Sequence, residues 1–106
     1  MVAVIAVVTT VGSRDDAGRI ARALIERRLV ACAQISAIES YYTWDGALQN
    51  NNEFRLLLKT TDAQYEAVEA AIRELHSYEL PAICAFAFER VYEPYAEWVA
   101  RGCDGG

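Results

Sequence analysis

Two short stretches of this chain, residues 2–8 and 82–88, are apolar at every position, odd and even alike. A strand sends successive side chains to opposite faces, so such a stretch needs cover on both sides. Few arrangements supply that cover in a chain of 106 residues, which is the size of one domain (1–106).

The segments between them narrow the choice. After the first stretch, Ser13 reads as a helix N-cap, with Asp15 and Asp16 in the first turn. Ala17, Ile20, Ala21, Leu24 and Ile25 then recur at helical spacing, and Arg27 and Arg28 close the last turn. Residues 29–44 are strand-like and unusually long for one strand. Asp45-Gly46 is a strong hairpin signal, and Asn50-Asn51-Asn52 is a second candidate turn. The returning strand is expected from about 53 to 60, with Phe54, Leu56 and Leu58 on one face and Arg55 and Lys59 on the other. Thr61 and Gln64 have capping-box spacing ahead of a second helix striped by Tyr65, Val68, Ile72 and Leu75. His76 and Ser77 end that helix, and Pro81 cannot continue it. Pro94 opens a short C-terminal helix carrying Tyr95, Trp98 and Val99, and Gly102 can stop it.

This order predicts an α+β fold, a ferredoxin-like βαββαβ sandwich with an antiparallel sheet, a long β-hairpin and an extra short C-terminal helix. Right-handed crossovers place both main helices on one sheet face. The other face should be polar in a monomer, yet the first and last strands are apolar there too. A second copy of the same chain is the simplest cover.

Composition excludes several functions. A net charge of −5 argues against nucleic acid or an anionic membrane as the main partner. The 2–8 run is too short to span a bilayer. It has no basic flank and no Ala-x-Ala-like site, so a cytoplasmic protein is expected. Cys32, Cys84 and Cys103 form no C-x-x-C pair and read as reduced thiols.

Candidate chemistry is sparse. His76 is the only histidine; beside Glu79 it could bind a metal or move a proton, or simply cap a helix C-terminus. Cys32 and Cys84 could join it at a soft-metal site, without any ligand spacing to support this. Lys59, at the end of a strand before a helix, could hold an anionic ligand or stand in solvent. Glu53 and Glu79 are the acidic counterparts. Tyr41, Tyr42 and Trp44 either line a ligand pocket or pack into a neighbouring subunit, and packing is the favoured expectation. No hydrolase elbow, zincin helix, P-loop or dinucleotide fingerprint occurs, and Phe54-Arg55-Leu56-Leu57-Leu58 is not an RNA-binding motif. Thr9-Thr10-Val11-Gly12-Ser13-Arg14 is a faint candidate for an acylphosphatase-like phosphate loop.

Taken together, Leu29-Val30-Ala31-Cys32, Tyr42-Thr43-Trp44-Asp45-Gly46, Glu53, Leu58-Lys59-Thr60 and His76-Ser77-Tyr78-Glu79-Leu80-Pro81 resemble the CutA divalent-cation tolerance family over nearly the whole chain. The resemblance implies a ferredoxin-like homotrimer, similar in shape to PII signalling proteins, whose long hairpin pairs with neighbouring subunits. It implies a non-enzymatic role in divalent metal tolerance, and in some members copper binding. Animal relatives are linked to acetylcholinesterase anchoring. Three copper-ligand positions of the family hold Thr9, Leu75 and His76 here, so weak copper binding is expected. The metal candidates are then His76, Cys32 and Glu79. The alternative is a PII-like module in which Trp44, Glu53, Lys59, Tyr78 and His76 line an intersubunit cleft for an anionic or zwitterionic ligand.

Overall fold

The structure is a computed structural model, and it describes residues 2–104. Strand β1 (Val4–Val11) leads to helix α1 (Arg14–Glu26), then the hairpin β2 (Cys32–Trp44) and β3 (Ala47–Thr61). A single 3-10 turn (Asp62–Gln64) precedes helix α2 (Tyr65–Leu75), followed by β4 (Ile83–Ala87) and helix α3 (Glu93–Gly102). The four strands form one antiparallel sheet in the order β2-β3-β1-β4. The α+β ferredoxin-like architecture is therefore as the sequence predicts.

Local chemistry explains most boundaries. The Ser13 side chain caps α1 by accepting the Asp16 N–H at 3.1 Å. Helix α1 ends one residue before the expected arginines; Arg28 instead takes a left-handed φ of 58° and ties down the C-terminus through Asp104 and the Arg101 carbonyl. Asp45 and Gly46 turn the hairpin with positive φ at both positions (52° and 77°), which matches the twist of the flanking strands. The Asn50-Asn51-Asn52 run is no turn: β3 begins at Ala47, and these residues pair with Tyr41, Ser40 and Glu39. The Thr61–Gln64 capping box does not form either. The Gln64 amide donates instead to the Cys103 carbonyl at 2.6 Å, clasping the end of α3.

The core lies between the sheet and helices α1 and α2. Ile5, Val7 and Val11 of β1 meet Leu56 and Leu58 of β3, Ile20 and Leu24 of α1, and Val68 and Ile72 of α2. Ile25, expected on this face, is exposed. The opposite sheet face receives α3, whose Ala96 and Val99 cover Val4. So α3 covers one end of that face only. Most of β4 stays open within the chain: Cys84, Ala85, Phe86 and Ala87 are all exposed. Beyond the span shared with β1, which stops at Phe54, β2 and β3 continue as a two-stranded arm. Among the described residues, no helix is long and apolar enough to cross a membrane.

Candidate functional site

A cavity of about 650 Å³ opens between the arm and the loop leading into β4. Tyr41, Tyr42 and Trp44 contribute aromatic walls from β2, while Thr10 comes from β1 and Glu53 from β3. Ser77, Tyr78, Glu79, Leu80 and Ala82 close it from the loop. The aromatic residues of the hairpin thus line a cavity within one chain.

Glu53 is the one buried charged side chain among the described residues, only 6% exposed. The Tyr78 hydroxyl donates to its Oε2 at 2.6 Å. Partial burial first, and this hydrogen bond second, hold the Tyr78 hydroxyl well above its ordinary value of 10. No basic side chain forms an ion pair with Glu53 among the described residues.

Tyr78 is itself held from behind. His76 stands at the C-cap of α2 and bonds its own N–H to the Ile72 carbonyl at 2.8 Å. Its Nε2 lies 2.8 Å from the Thr10 carbonyl, and its Nδ1 accepts the Tyr78 N–H at 3.0 Å. A carbonyl can only accept, so Nε2 carries the proton and Nδ1 is bare. Gly12 leaves room for the phenol: a Cβ there would lie 3.2 Å from the Tyr78 hydroxyl.

The other sequence candidates sit elsewhere. Lys59 is six residues along β3 from Glu53, about 20 Å at strand rise. It points to the same sheet face, half-buried, with its ammonium 5.6 Å from the centre of the Tyr95 ring. Cys32 pairs with Lys59, whereas Thr10, which anchors His76, pairs with Arg55 four residues away. That offset is about 13 Å along the strand. Within one chain Cys32, His76 and Glu79 are therefore not gathered. No group of three or more His, Cys, Asp or Glu side chains is placed to hold a metal ion among the described residues. This donor set does not fit a copper site within a single chain. The faint phosphate loop also dissolves, because Thr9, Thr10 and Val11 are strand residues paired to β3.

Thr10, Ser40, Ser77 and Ala82 are cavity residues that sequence reasoning missed. Small polar and apolar side chains carry no spacing signal of their own. The register of β1 and β2 against β3 brings in Thr10 and Ser40, and the loop between α2 and β4 brings in Ser77 and Ala82.

The family model described as CutA1 divalent ion tolerance protein matches residues 5–102. The chain belongs to this family. A CutA relative from Archaeoglobus fulgidus, a divalent-cation tolerance protein, is 34% identical over 90 residues, covering 85% of this chain and 88% of the relative. One from Thermotoga maritima is 35% identical over 95 residues, or 90% and 94% of the two chains. The solved CutA1 structure from Ehrlichia chaffeensis superposes with a TM-score of 0.92 at 33% identity, covering 97% of both chains. As a CutA protein, the chain takes its family's name for divalent-ion tolerance, and the long hairpin arm is part of the shared fold.

Proposed function

We propose that this CutA-family chain acts in the cytoplasm as a homotrimer, responding to divalent ions by binding and not by catalysis. One observation carries the reading: among the described residues, β3 presents an anion and a cation without ion-pair partners on the same sheet face, too far apart to meet. Glu53 is buried with only a phenol for company. Lys59 is half-buried with only an aromatic ring. A buried carboxylate without a counter-charge is unfavourable, and pairing it restores much of the loss. A neighbouring copy whose Lys59 reaches this Glu53 satisfies both groups. The same contact covers the apolar β4 row of Cys84 and Phe86, for which one chain has no cover.

In that assembly Trp44, Glu53, Tyr78 and the neighbour's Lys59 line one cleft. Copper is the first ion to test, with Cys32 and Glu79 as donors that only a second copy could bring closer. The aromatic cavity walls favour a second reading, a PII-like site for a small anionic or zwitterionic molecule oriented by Lys59.

Light scattering on the purified protein should return threefold the chain mass of 11.8 kDa. A stable monomer overturns the proposal. Lys59→Ala separates the roles: a trimer that weakens shows a lock, and an intact trimer with a lost copper signal shows a binding cleft.

A further inference from the structure

We infer that His76 is a positioning residue of the cavity and not a metal ligand: it fixes Tyr78 so that the phenol stands over Glu53. The inference rests on the cavity being the site, and its own test does not require any ligand to bind.

The argument is one of occupied lone pairs. Copper takes imidazole through an unprotonated nitrogen. In His76 the protonated Nε2 is committed to the Thr10 carbonyl at 2.8 Å, and the bare Nδ1 accepts the Tyr78 N–H at 3.0 Å. A metal at either nitrogen must first break one of these bonds. Two carboxylates of the same neighbourhood are already engaged. Glu53 is turned to the Tyr78 hydroxyl, and Asp16 accepts from Ser77 Oγ at 3.3 Å.

What the two bonds accomplish is directional. Thr10 belongs to β1, Glu53 to β3, and Tyr78 to a loop without regular structure. The imidazole ties that loop to the central strand, and the loop's next ring stands 4.9 Å from it, tilted by 51°. From there the phenol reaches Glu53 at 2.6 Å. The relay thus runs from the Thr10 carbonyl through both ring nitrogens and the Tyr78 backbone to the buried carboxylate. The Ser77–Asp16 hydrogen bond at 3.3 Å tethers the same loop to α1, but it does not orient the phenol.

Two substitutions separate the roles of the ring. His76→Asn keeps a carbonyl that can accept the N–H two residues on, the geometry of an Asx turn. His76→Ala keeps nothing. Amide hydrogen exchange at Tyr78 is the primary readout, with copper titration calorimetry beside it. The Tyr78 amide should exchange roughly fivefold faster or more in His76→Ala, the loss of one ordinary hydrogen bond. His76→Asn should restore most of the protection, and neither variant should change the copper isotherm. The inference fails if the Tyr78 amide is equally protected in His76→Ala and the wild type. It fails equally if both variants lose copper binding that the wild type shows.

Discussion

The Tyr78 hydroxyl and Glu53 Oε2 stand 2.6 Å apart, joining a loop side chain to the one buried charge of the sheet. Tyr78→Phe deletes the donor and leaves the carboxylate buried without it. The loss should be about 1–3 kcal/mol of unfolding free energy, since an unsatisfied buried acceptor costs its desolvation. Glu53→Gln, which accepts the same bond without a charge, should cost less. Urea unfolding at fixed protein concentration measures both, and equal stability of Tyr78→Phe and the wild type would refute the first.

Alkaline pH tests the same contact. The Tyr78 hydroxyl is raised in the folded chain by burial and then by Glu53, and Tyr65 is raised by burial and then by Glu69. Above the ordinary tyrosine value of 10, unfolded chains lose protons that folded chains keep. The unfolded state then binds fewer protons, so stability falls as pH rises past that point. The thermal midpoint should fall progressively from about pH 10 upward, the ordinary value for an unshifted tyrosine. A Tyr65→Phe/Tyr78→Phe protein should show a flatter profile.

Thr9 offers a stabilising change. Its hydroxyl is 0% exposed on the helix-covered face of β1 and has no hydrogen-bond partner. Thr9→Val replaces the unpaired oxygen with a methyl of similar size among Ile5, Val7 and Val11. A gain of about 1 kcal/mol is expected, the cost of burying a lone hydroxyl. A loss of stability would mean that the hydroxyl is satisfied in solution.

The hairpin turn should be sensitive at one position. Gly46 has φ of 77° with open space around its missing Cβ, so conformation alone opposes a side chain there. Gly46→Ala should cost about 1 kcal/mol, the left-handed penalty of an L-residue. Asp45→Asn, at φ of 52°, should be near neutral, because asparagine tolerates that region.

Much of the fold was legible because β1, α1 and α2 each present apolar residues to a single core at their own periods. The Ser13 cap and the Asp45-Gly46 turn were equally plain. The start of β3 was not. Residues 47–52 lie on the two-stranded arm, where no core faces them, so their side chains carry no alternation and Asn50-Asn51-Asn52 imitated a turn. The cavity was half legible. Trp44, Glu53, Tyr78 and Glu79 do line it; Lys59 sits about 20 Å along the same strand, the separation that made its expected cleft an intersubunit one. Periodicity places a side chain on a face but not at a depth along it. Thr10 and Ser77 were invisible because their part is set by what they accept and donate.

Strand β1 lies between β3 and β4, both made later. Its most apolar segment leaves the ribosome before the other strands and finds its first sheet partner only when Phe54 emerges, and its second only at Ile83. At roughly 5–20 residues per second, the chain spends several seconds with that strand unpaired on both edges. Helix α1 can shield one face of it in the interval, but its hydrogen-bonding edges stay open. Synthesis is thus an interval in which this strand is open to aggregation, and slowing translation after α1 should lower the soluble yield.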